Sequence, residues 1–198
     1  MRKIVVIGPE STGKSTLCEL LANHFKTKWV AEYAREYLLT NGKEYTYDNL
    51  LTIAKEQLAC EDEITLQFPV SSFQPPNLSL TTYHSQPSAQ SSQLLLIDTD
   101  MYVMKVWCEF VFGKCHQWIL DQIAVREYDL YLLCNTDLPW VKDELREYPD
   151  LETREKLFHI YKDLLVNQST PWVEIKGKSE ERLQIAIDAV NHLINEHR

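Results

Sequence analysis

One stretch near the N-terminus leaves the chain little freedom. Ile4-Val-Val-Ile7 runs into Gly8-Pro-Glu-Ser-Thr-Gly13-Lys14-Ser15, a full match to G-x-x-x-x-G-K-[ST]. Gly8 and Gly13 let the backbone turn its N–H groups inward around phosphate oxygens, and a following helix aims its positive end at the same point. Pro9, Glu10, Ser11 and Thr12 fill the loop and Thr16 continues into the helix, so residues 8–16 are read as the ATP phosphate site. Lys14 is expected to reach the β- and γ-phosphates and the Ser15 hydroxyl to ligand magnesium. With glycine at about 7% of residues in an average protein, a chance match in a chain this long has a probability on the order of one per cent. A plain strand-to-helix turn is the weaker alternative.

Alternation of short apolar runs with helical patterns gives the expected frame. Strands are predicted at Lys3–Ile7, Lys28–Ala31, Leu94–Ile97, Leu130–Cys134 and Trp172–Ile175, each apolar enough to be buried on both faces. Helices are predicted over Ser15–Phe25, Tyr33–Leu39, Asp48–Ile64 and Asp100–Val111, with a closing helix capped by Ser179 and ending near Glu196. Such alternation implies an α/β fold, a parallel five-stranded sheet between two helical layers. A chain of 198 residues, 44% hydrophobic, has room for one such domain, residues 1–198, and not for two catalytic domains.

Charge and composition exclude some partners. Twenty basic against 29 acidic residues leave a net charge of −9, which opposes the counterion release that drives nucleic-acid binding. No apolar run approaches membrane length and the N-terminus lacks a leader pattern. Five scattered cysteines contain no C-x-x-C pair, so reduced core thiols in a cytoplasmic protein are expected. From Phe68 to Gln93 the sequence is rich in Ser, Gln, Pro and Thr without a charge, and reads as a flexible insertion within the domain, with His84 solvated; a functional flap is the alternative.

A phosphate loop establishes nucleotide binding and leaves the reaction open. The N-K-x-D base-reading motif of GTPase switches is absent, and the chain is too short for the added domains of mechanical ATPases. A single domain of this size fits the nucleoside and nucleotide kinase-like branch of the P-loop NTPase three-layer fold. In open α/β sheets the ligands bind outside the carboxyl ends of the strands. There Glu32 and Arg35, three apart on a helix face, can accept the proton of an attacking hydroxyl or hold a ribose, and stabilise the transferring group. An ordinary surface pair is the alternative. Asp98, closing Leu-Leu-Leu-Ile, looks like a Walker-B acid for magnesium, and Asp100 is equally a substrate contact or a helix N-cap. Arg146 and Arg154, in a polar segment flanked by Pro139 and Pro149, suit a lid over the phosphates, against solvated helix charges as the other reading.

The stretches GPESTGKSTL, VAEYAREYL, IAKEQL, IDTD and NTDLPWVKDELR together resemble the ribosylnicotinamide kinase domain of the NadR-type NAD-biosynthesis proteins, over nearly the whole chain except the insertion. The resemblance implies phosphorylation of the 5'-hydroxyl of nicotinamide riboside by ATP with Mg²⁺, in pyridine nucleotide salvage. It places Glu32 and Arg35 on the substrate side, Gln57 toward the substrate base, Asp98 and Asp100 at the acidic strand end and Arg146 in the lid. Lys14, Glu32 and Arg146 are then the catalytic candidates. None of the six histidines forms the H-x-G-H pair of the adenylyltransferase domain in full-length relatives, so a stand-alone kinase is expected. Other small-molecule kinases, for a deoxynucleoside, nucleotide or coenzyme precursor, and a non-catalytic ATP-dependent switch stay open. So do the acceptor base, the donor triphosphate, the general base and the oligomeric state.

Overall fold

The computed structural model describes residues 1–68 and 94–195. The expected insertion therefore lies, but for Phe68, outside the described residues. Five strands form one fully parallel sheet: β1 (Arg2–Ile7), β2 (Lys28–Val30), β3 (Leu94–Asp98), β4 (Leu130–Cys134) and β5 (Trp172–Ile175). Their order is β2-β3-β1-β4-β5, with Val6 of β1 level with Asp98 of β3 and Ile7 level with Leu133 of β4.

The central strands are apolar in their interiors because both faces are covered, whereas the edge strands β2 and β5 carry Lys28, which is exposed, and Glu174. Ile4 and Val6 pack with Leu94 and Leu96 against α1 (Lys14–Phe25) and α7 (Ser179–Asn195). Val5 and Ile7 point the other way, with Leu95 and Ile97, against α4 (Met101–Phe112) and α6 (Leu151–Val166). Each such fully buried side chain contributes about 1.5–3 kcal/mol. A third cluster joins α4 to α2 (Tyr33–Asn41), α3 (Tyr47–Leu66) and α5 (Gln117–Val125) through Ala34, Leu50, Ile53, Met104 and Ile119.

Local chemistry sets the element ends. Thr46 and Asn49 form a reciprocal capping box that starts α3. At α4 the cap is Asp100, whose Oδ1 accepts from Tyr102 N at 3.0 Å and Val103 N at 3.3 Å. Ser179 is the first residue of α7 and not its cap. Lys178 takes the flanking position, its carbonyl accepting from Arg182 N and its own N–H donating to the Glu181 carboxylate.

Two helices go beyond the sequence reading. The end of the expected lid segment is α6, capped by Asp150, whose carboxylate accepts from Thr153 N at 2.7 Å. Its buried residues Arg154, Leu157, Phe158, Tyr161 and Leu165 recur at helical spacing. In α5 only Ile119 is fully buried, which leaves almost no periodicity to read. All five cysteines are free, and burial pushes Cys134 up to about 11 and Cys108 up to about 12. No described helix is long and apolar enough to cross a membrane.

Candidate active site

The loop between β1 and α1 turns at two glycines. A Cβ on Gly8, at φ 142°, would lie 2.7 Å from the carbonyl oxygen of Cys134 at the end of β4. Gly13 sits at φ 78°, the left-handed region, and caps α1. Inside the loop the Thr12 hydroxyl and Lys14 Nζ both donate to Pro9 O, at 2.7 and 3.0 Å.

Two buried guanidinium groups fix the outside of the loop. Arg154 donates to the carbonyls of Ser11 and Leu138, and Arg182 donates to Thr12 O at 2.7 Å while pairing with Asp137. With 2% and 4% of their surfaces exposed, both depend on these acceptors, since an unpartnered buried charge is costly. Arg154 thus lies in helix α6 behind the loop, where burial lowers its pKa, and not in the mobile-looking polar segment that the sequence suggested. Arg182 went unread. Its signal was a charged residue among the core positions Ala186, Ile187 and Val190 of the closing helix.

Beneath the loop the Ser15 hydroxyl donates to Asp98 Oδ2 at 2.5 Å, a contact made possible by the β1–β3 pairing. Asp98 is fully buried, and its Oδ1 has no hydrogen-bond partner among the described residues. Burial first, and the Glu32 carboxylate second, raise the Asp98 pKa, against the pull of Lys14 and the Ser15 hydroxyl. An unpartnered carboxylate oxygen beside a hydroxyl is a pair of hard oxygen donors, which fits magnesium.

A cleft of about 400 Å³ opens over the loop. Residues 8–16 all line it, and so do Glu32, Arg35 and Arg146 from the expected site. Leu38, Trp107, Phe110 and Tyr148 line it as well, together with Leu157 and Tyr161. Glu32 is the residue before α2, in extended conformation, so it shares the cleft with Arg35 without sharing a helix face. The Arg35 guanidinium is engaged by Asp143 through two bonds of 3.2 and 2.8 Å, which hold the segment after β4 against α2. That bond holds the Asp143 carboxyl below its usual range. Arg146, in the same segment, donates to Val141 O at 2.5 Å.

Two expected substrate contacts sit elsewhere. Gln57 is buried, with its amide oxygen accepting from Tyr33 N and its amide nitrogen donating to Ala31 O and Asp98 O. It ties the end of β2 to the end of β3, with both amide N–H groups already donated. Asp100 is the cap of α4 and also accepts from the Tyr131 hydroxyl at 3.0 Å. Burial pushes its carboxyl up to about 7, and it lines a second cavity, of about 620 Å³, beside Lys3 and Asp129 and away from the loop.

With the geometry in place, comparison with known proteins is specific. The chain is 25% identical over 199 residues to the "Trifunctional NAD biosynthesis/regulator protein NadR" of Escherichia coli (strain K12), covering 100% of this chain and 44% of that one. The protein of the same name from Salmonella typhimurium (strain LT2) is also 25% identical, over 197 residues, 99% of this chain and 43% of that one. The chain thus spans less than half the length of these relatives. Among solved structures, NadR in complex with NR superposes with a TM-score of 0.68 at 22% identity, over 97% of this chain and 49% of that one. Thymidylate kinase from Ehrlichia chaffeensis superposes at 0.60 with 13% identity, over 97% and 98%. The fold is therefore that of the P-loop kinases. A family profile, described as AAA domain, matches residues 3–182, and the chain belongs to that family.

Proposed function

We propose that the chain transfers the γ-phosphoryl group of ATP to the 5'-hydroxyl of nicotinamide riboside, giving nicotinamide mononucleotide, and that residues 1–198 act as one kinase domain. The observation that carries this reading is the continuity of the cleft. The same cleft is lined by a phosphate loop and by the aromatic side chains of Trp107, Phe110 and Tyr148, with the Glu32 carboxylate also in the lining. A switch that only binds nucleotide has no need of the second group. The likeness to NadR, including the structure with NR, supports nicotinamide riboside as the acceptor, and the NadR complex with AMP-PNP supports ATP as the donor.

In this reading residues 8–16 wrap the donor phosphates, and Lys14 leaves Pro9 O for the β- and γ-oxygens. Ser15 and Asp98 would hold magnesium, which supplies charge neutralisation on the β- and γ-phosphates. Glu32 takes the proton of the 5'-hydroxyl, and Arg146, from the segment over the cleft, faces the charge on the transferring group. Trp107, Phe110 and Tyr148, which line the cleft, would surround the acceptor's ring, which carries a positive charge when the base is nicotinamide and so gains from aromatic walls.

The test is ADP release from ATP and magnesium over a panel of nucleosides, including nicotinamide riboside, thymidine and deoxyadenosine. The expected result is a kcat/KM for nicotinamide riboside at least about tenfold above the rest, the discrimination that about 1.4 kcal/mol of differential binding supplies. Faster turnover of a deoxynucleoside would replace the acceptor assignment.

A further inference from the structure

Glu10 belongs to the phosphate loop, yet its carboxylate is committed to another part of the chain. Oε2 accepts from Glu147 N at 2.9 Å, and Oε1 accepts from Tyr148 N at 2.7 Å and the Trp140 indole at 3.4 Å. Next to it Ser11, at φ 56°, accepts on its hydroxyl from Val141 N at 3.0 Å. The crest of the phosphate loop is therefore bonded to residues 140–148 at four points. From the other flank the same segment is held by Arg35 on Asp143 and by the Tyr45 hydroxyl on Glu147.

A carboxylate only accepts hydrogen bonds, as do phosphate oxygens at neutral pH, so Glu10 cannot hydrogen-bond the donor's phosphates directly. What it can do is relay. Tyr148, whose amide it holds, has its ring in the cleft lining, edge-on to Phe110 with centroids 5.4 Å apart. One side chain thus links the backbone that wraps the donor phosphates to a wall of the acceptor pocket. A non-glycine residue at positive φ beside it marks a loop held in a sparsely populated conformation by these bonds.

We propose that Glu10 is a positioning residue that couples the phosphate loop to the acceptor wall at Tyr148, so that donor binding tightens acceptor binding. The proposal rests on the kinase reading above for the identity of the acceptor. Coupling of this kind is reciprocal, and factors of about 5 to 150 are typical.

The experiment compares wild type with Glu10→Gln, which keeps the size but turns an NH₂ toward one of the two backbone donors. Glu10→Asp, which keeps the charge and withdraws it by one methylene, is the second variant. Affinity for nicotinamide riboside is measured by calorimetry with and without AMP-PNP, and hydrogen exchange of residues 141–150 is followed under the same conditions. In wild type AMP-PNP is expected to tighten nicotinamide riboside binding by about tenfold or more, and in both variants by about threefold or less. Exchange in residues 141–150 should rise in the variants and lose its response to AMP-PNP. A purely structural role would weaken the acceptor equally in both conditions and keep the ratio, which would overturn the proposal. If wild type binds no nicotinamide riboside, the acceptor reading fails instead, and the exchange response to AMP-PNP alone decides the role of Glu10.

Discussion

Two carboxylates, Glu32 and Asp98, act on each other electrostatically at the ends of neighbouring strands, and only Asp98 has a buried oxygen left without a partner. Their replacements should fail differently. Glu32→Gln is expected to keep ATP and magnesium binding while lowering kcat by roughly 10² to 10⁴, the range for a lost general base. Asp98→Asn should raise the magnesium concentration needed for half-maximal rate and be partly rescued by more metal. Steady-state kinetics against nucleoside and magnesium separates them. A Glu32→Gln enzyme with full kcat and a raised KM would reassign Glu32 to the ribose hydroxyls. The residue types at the site were legible because the loop and the strand-end acids have fixed local spacing. Their partners were not. Gln57, Arg154 and Arg182 spend their side chains on backbone carbonyls far away in sequence, and such bonds leave no local pattern.

At the scale of elements, the loop depends on how closely β1 approaches β4. Gly8→Ala would bring a methyl to 2.7 Å from Cys134 O in a backbone conformation that L-residues rarely adopt. A loss of about 1–3 kcal/mol in stability is expected, read by chemical denaturation, together with weaker ATP binding. A variant with native stability and ATP affinity would show that the approach is not needed. β3, β4 and the second half of β1 were readable because burial on both faces makes each an apolar run, while the edge strands β2 and β5, with Lys28 and Glu174, showed only short apolar stretches. Helix α6 has Leu157, Phe158, Tyr161 and Leu165 at helical spacing, but the charged residues of its first turns follow the polar segment flanked by Pro139 and Pro149 and read as part of it. Its misreading carried Arg154 with it.

For the whole molecule, strand order decides function more than any single element. Placing β3 between β2 and β1 brings Asp98 under Ser15 and sets the end of β2 next to Asp98, so the phosphate loop and Glu32 line one cleft. The alternation of strands and helices pointed to a parallel sheet, but order within it comes from long-range pairing that no local spacing encodes. A net charge of −9 opposes anionic ligands from a distance, so phosphate binding must come from groups at the loop itself, Lys14 and the helix N-terminus among them. Transfer of a phosphoryl group to a 5'-hydroxyl is the central claim, and ³¹P NMR of ATP, magnesium and nicotinamide riboside with the protein tests it most directly. The expected spectrum gains a phosphomonoester resonance split by the two 5'-protons, in step with ADP. ATP left unchanged, or inorganic phosphate as the sole new signal besides ADP, would contradict it.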